Sequence, residues 1–158
     1  MNQTHIDRHL LEEKIKTTPQ KVFLSLYLAV LLGVLLGGRI AVLELTQGTF
    51  SRKTLIFIAI IVGVFAFNGF ALLTRNRLSY CLLVLFTFMP MWSSLAGAIH
   101  LVALIVTGQI ATSPADTIVS LIATLQLLTI IALYLALASR TTSYYVWHSP
   151  PPPAAPDH

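Results

Sequence analysis

Four long stretches of this chain lack the charged positions that a water-facing helix needs. Apolar blocks run from Val22 to about residue 45, over residues 54–74, over 79–107 and over 117–139. Arg39 and Glu44 lie near the far end of the first block, and the other three contain no Asp, Glu, Lys or Arg. About 20 apolar residues in a helix cover a hydrocarbon core of roughly 30 Å, so each block is long enough to span a bilayer. A buried soluble helix needs no such run. The third block is longer than the hydrocarbon core, and Pro90 at its middle predicts a kink.

The segments between the blocks read as boundaries. Residues 4–16 predict a short cytoplasmic helix, with Thr4 and Asp7 at capping-box spacing and Glu12 four residues before Lys16. Its apolar residues Ile6, Leu10, Leu11 and Ile15 spread over half the circumference, and Thr17, Thr18 and Pro19 end it. Because the first 21 residues are polar, no cleavable signal peptide is expected, and the first helix stays in the mature chain. Arg75, Asn76 and Arg77 close the second block, while Gly108, Pro114 and Asp116 mark the loop before the fourth. In the tail, 141–158, Tyr144, Tyr145 and Trp147 suit the headgroup region, and Pro150 to Pro153 predict extended or disordered chain. The expectation is an all-α polytopic membrane protein: a polar N-terminal segment 1–21, a four-transmembrane-helix bundle over 22–140, and a Pro-rich disordered tail.

Composition sharpens this picture. With 56% hydrophobic and 10% charged residues and a mean hydropathy of +0.79, a chain of 158 residues cannot cover a soluble globule with polar surface. The net charge of +4 does not point to nucleic acid, because the basic residues stand singly or in pairs at the block ends. They act as topology signals. Placing both termini in the cytoplasm puts seven basic residues inside (Arg8, Lys14, Lys16, Lys21, Arg75, Arg77, Arg140) against three outside (Arg39, Arg52, Lys53). The bacterial inner membrane is the expected location. Cys81 is the single cysteine, so no intrachain disulfide forms, and a packing role is expected.

The most regular pattern lies in the first block, where Ser25, Ala29, Gly33, Gly37 and Ala41 recur every four residues as a ridge of small side chains. Such a ridge lets another backbone approach closely, and in lipid that close contact drives association. The partner can be a helix of the same chain or of a neighbouring subunit. Shorter versions occur at Ala59 with Gly63, Ser93 with Gly97, Ser94 with Ala98, and Ala132 with Ala136.

Polar groups within the blocks are few, and each is expensive in hydrocarbon. Asn68 and Gln126 are read first as hydrogen-bonding links between helices. His100 has a bland reading, bonded to a neighbour or to interfacial water, and a sharper one as an outward-facing proton or ligand site with Arg39 and Glu44; Asp116 joins these three in the outer set that an enzyme would have to recruit. Arg39 and Glu44, five residues apart, point to different sides of their helix, and Arg39 is expected to snorkel to the outer headgroups. His5, His9 and Glu12 share one face of the N-terminal helix, but a solvated face is the commoner reading, and no metal or cofactor is expected.

Absences narrow the choice further. A haem bundle needs paired axial ligands, a retinal protein needs a membrane lysine, and four-helix multidrug transporters rely on a carboxylate in the first helix. Residues 22–38 hold none, and no family resemblance is claimed. No nucleophile with a base and no paired carboxylates lie in the spans, so catalysis is not expected. The leading expectation is a non-enzymatic membrane subunit, a homo-oligomer or one part of a membrane complex, assembled through the ridge of the first helix. The alternative is a small oligomeric channel or transporter lined by Asn68, His100 and the Ser and Thr residues.

Overall fold

The structure is a computed structural model and describes residues 19–108 and 114–147. The N-terminal helix expected over 4–16 and the proline run lie outside the described residues. Those described are helical throughout, with no strand among them. The elements are α1 (Gln20–Thr46), α2 (Arg52–Ala71) continued by a 3-10 turn (Leu72–Thr74), α3 (Arg77–Phe88), α4 (Met91–Val106), α5 (Pro114–Ala138) and α6 (Arg140–Trp147). Four helical spans, with α3 and α4 counted as one, are long and apolar enough to cross a membrane.

Local chemistry sets their ends. Ser51 caps α2 with a reciprocal pair: its hydroxyl accepts from the Thr54 amide at 3.3 Å, and its own amide donates to the Thr54 hydroxyl at 3.4 Å. The Asn76 side-chain Oδ1 caps α3, accepting from the Leu78 and Ser79 amides. Arg75, just before it, takes a left-handed conformation (φ 59°) that turns the chain back on itself. The third span is interrupted at Pro90, between α3 and α4, since proline has no amide to continue the ladder.

Successive spans run antiparallel. Ala29 faces Gly69, Gly33 faces Phe65 and Gly37 faces Ile58, so the residue number rises on α1 as it falls on α2. Both α2 and α5 pack on α1, and α4 packs on α5. The bundle thus has a terminal end, holding Gln20, the Leu72–Arg77 turn and α6, and a loop end where α1 joins α2 and α4 leads to α5. Val22, Leu32, Leu72, Leu83, Leu133 and Leu137 are fully buried in its core. Its outer surface is apolar all round, with Leu24, Leu31, Ile60, Phe67, Leu85 and Leu128 exposed.

The small-residue ridge of α1 is occupied within the chain. Ser25, Ala29, Gly33 and Gly37 are buried, and Ala41 is half-buried. A Cβ on Gly33 would lie 3.0 Å from the Phe65 Cβ, and one on Gly37 would lie 2.7 Å from the Ile58 Cγ2. Only glycine permits that approach of α2. The seam expected to serve assembly between subunits is therefore filled by α2 of the same chain, which removes its free surface.

The start of the tail also departs from expectation. Residues 140–147 form α6, which folds back on the terminal end and buries Thr142, Tyr145 and Val146. The Tyr145 hydroxyl donates to the Leu73 carbonyl at 2.9 Å, and the Tyr80 hydroxyl donates to the Leu137 carbonyl at 3.0 Å.

Candidate functional site

Arg39 is the structure's main correction to the sequence reading. It follows Gly37 by two residues, a rotation of about 200° at 3.6 residues per turn, so it points away from the α1–α2 seam. That direction leads into the bundle. Its Nη1 donates to the Ser93 hydroxyl oxygen on α4 at 3.3 Å and to the Gln126 Oε1 on α5 at 3.4 Å. Where the sequence suggested a side chain reaching the outer headgroups, two neutral acceptors hold the guanidinium among three helices.

Gln126 stands at the middle of α5 and is 0% exposed. Its Oε1 also accepts from the Ser94 hydroxyl at 3.2 Å, so one amide oxygen ties α1 and α4 to α5. Two donors aimed at the same atom fix which way the amide points. Ser93 accepts from Arg39 while donating its own proton to the Pro90 carbonyl at 3.0 Å, so the break in the third span helps to orient it. Gly97 lets α4 reach α5: a Cβ there would collide with the Ala123 Cβ and lie 3.9 Å from the Arg39 Nη2.

The cluster is rich in donors and poor in acceptors. The Arg39 Nε and the Gln126 Nε2 are both buried without a hydrogen-bond partner. No carboxylate is bonded to Arg39 among the described residues, so its charge is met only by neutral dipoles at lengths beyond the usual charge-assisted range. An uncompensated charge in such a place is costly and marks a functional candidate by default.

The remaining sequence candidates lie elsewhere. Asn68 is buried, but its amide donates to the Val64 carbonyl of its own helix at 2.8 Å and links no other helix, while its Oδ1 has no partner. His100 is exposed, and no hydrogen bond joins it or Glu44 to Arg39. Asp116 is exposed in the first turn of α5, where a carboxylate complements the helix dipole. The outer-side set of Arg39, Glu44, His100 and Asp116 is thus not assembled as a hydrogen-bonded cluster around Arg39. Ser93, Ser94 and Gly97 replace it, and their sole sequence signal was the four-residue spacing of small side chains. No group of three His, Cys, Asp or Glu able to hold a metal occurs among the described residues.

Beside the Pro90 break, on the terminal side of the cluster, an apolar groove of about 300 Å³ is lined by Phe88, Met91, Ile130, Tyr134 and Leu135 among others. It offers almost no polar surface for a hydrophilic solute.

Fold and site together define an all-helical bundle with four spans suited to a membrane and a cationic polar cluster inside it. Comparison with protein-family models, with curated proteins and with solved structures finds no match to this chain.

Proposed function

We propose that this is an integral membrane protein, crossing the bilayer four times with both ends in the cytoplasm, and that it carries or conducts a small polar solute past Arg39 without covalent chemistry. Membrane insertion is supported by the apolar outer surface, which would be an aggregation hazard in water. Orientation is supported by charge. Since Arg39 is held inside the bundle, it drops out of the loop tally, leaving only Arg52 and Lys53 at the loop end against Lys21, Arg75, Arg77 and Arg140 at the terminal end.

The observation that carries the transport reading is the half-buried Arg39 in the gap between α1 and α4, floored by Gln126 of α5. Gln126 stands at the middle of its span, the depth at which membrane transporters place their binding sites. The assembly reading has less support, because α2 covers the ridge it relied on and another face would have to serve. Purified protein in liposomes should take up or release a small charged solute. Arg39→Gln should slow that flux about tenfold or more, in line with loss of a charge-assisted contact. A wild-type protein with no conductance or uptake above empty liposomes, across a panel of common anions and cations, would overturn the proposal.

A further inference from the structure

We infer that the Arg39 cluster is a binding site for a single carboxylate-type oxyanion, an inference that rests on the solute-path reading and names the class of solute. Both hydrogen bonds of Arg39 leave from Nη1. Nε is buried without a partner, and no hydrogen bond is made by Nη2, so the donors of the Nε–Nη2 edge are unmet. That edge presents two parallel N–H groups, the fork that a carboxylate meets with both oxygens.

Two further features fit the same ligand. The unpaired Gln126 Nε2 belongs to the same cluster. It is a third donor waiting for an acceptor. The charge also matches: the cluster carries one positive charge with no bonded acid, so one negative charge neutralises it, whereas a cation would be repelled. The present bonds from Nη1, at 3.3 and 3.4 Å, are long enough to yield to an ionised acceptor, which would sit nearer 2.8 Å.

The carboxylate could come from a small free acid or from an acyl chain. The apolar groove makes the second a real alternative, because Met91 and Ile130 that line it lie one helical turn from Ser94 and Gln126. A tailed carboxylate would place its head at Arg39 and its chain along that groove.

The test uses the full chain purified in detergent. Modification of Arg39 by phenylglyoxal is followed by peptide mass spectrometry, with exposed Arg52 as the internal control. Acetate, decanoate and chloride serve as probes. A bound carboxylate should slow modification of Arg39 about tenfold at ten times its dissociation constant, and leave Arg52 unchanged. Protection by acetate supports a free solute, and protection by decanoate alone supports an acyl-chain source. Equal protection by chloride overturns the bidentate oxyanion, and no protection by any probe overturns the site. Arg39→Lys, which keeps the charge but loses the fork, should weaken the ligand-induced rise in melting temperature by roughly tenfold in affinity. Protection without flux would sink the transport reading and leave the site standing. Flux that Arg39→Gln abolishes, without protection by any anion, would do the reverse.

Discussion

Arg75 and Arg77 at one end of the bundle and Arg39 within it are held in two different ways. At the terminal end, the Arg75 guanidinium lies 4.5 Å from the centre of the Tyr145 ring, and Arg77 lies 5.1 Å from that of Trp147 while donating to the Trp147 carbonyl at 3.2 Å. Their positive charge meets aromatic faces and a carbonyl on α6, an arrangement worth about 0.5–2 kcal/mol for each stacked cation. Inside the bundle, Arg39 meets an amide and a hydroxyl, and one of its buried donors meets nothing. The first arrangement closes a structure. The second leaves capacity unused, which is what a binding group needs and a structural group avoids.

The sharpest way to break this contrast is to separate the helices that hold Arg39. Gly97→Leu forces a side chain into the Ala123 contact, so it should cost about 3 kcal/mol or prevent folding, by the cost of overpacking. Its smaller counterpart is informative where the large one fails. Gly97→Ala should destabilise the chain in a thermal melt, and Ala123→Gly in the same chain should restore most of the loss, because the two Cβ atoms compete for one space. Absence of rescue would mean that α4 and α5 do not meet at this point.

A smaller and opposite effect is expected at Arg39 itself. Arg39→Met removes an uncompensated charge and fills similar volume, so it should raise stability by about 1 kcal/mol while abolishing solute flux. The melting temperature in detergent reads the first effect and liposome uptake the second. A fall in stability would show that Arg39 is a structural tie like Arg77, and would remove the distinction between the two ends.

How much of this was legible in the sequence differs by scale. Helical class and the four apolar spans followed from block length, because a bilayer imposes one dimension that can be counted along the chain. The direction of Arg39 was within reach: its offset from Gly37 already turned it off the ridge face, but the partner that would capture it lies 87 residues away, and no local pattern announces it. Gln126 and Asn68 looked alike as lone intramembrane amides. Asn68 bends back to its own backbone because its side chain is shorter, while Gln126 reaches two other helices. The α6 clamp was hidden for another reason. Tyr144, Tyr145 and Trp147 suit a headgroup region equally well, and only the turn at Arg75 brings Tyr145 onto the Leu73 carbonyl.

That clamp provides the smallest test of the comparison. Tyr145→Phe keeps the ring beneath Arg75 and removes one hydroxyl, leaving the Leu73 carbonyl without its donor, so it should cost about 1 kcal/mol. The loss should be local. Protease sensitivity or hydrogen exchange should rise in α6 and the Leu72–Arg77 turn while the amides of α1 and α5 around Gln126 stay protected, since the terminal end and the Arg39 cluster share no hydrogen bond. If protection around Gln126 fell in step, the two regions would be one cooperative unit, and the view of a closed end beside an open site would fail.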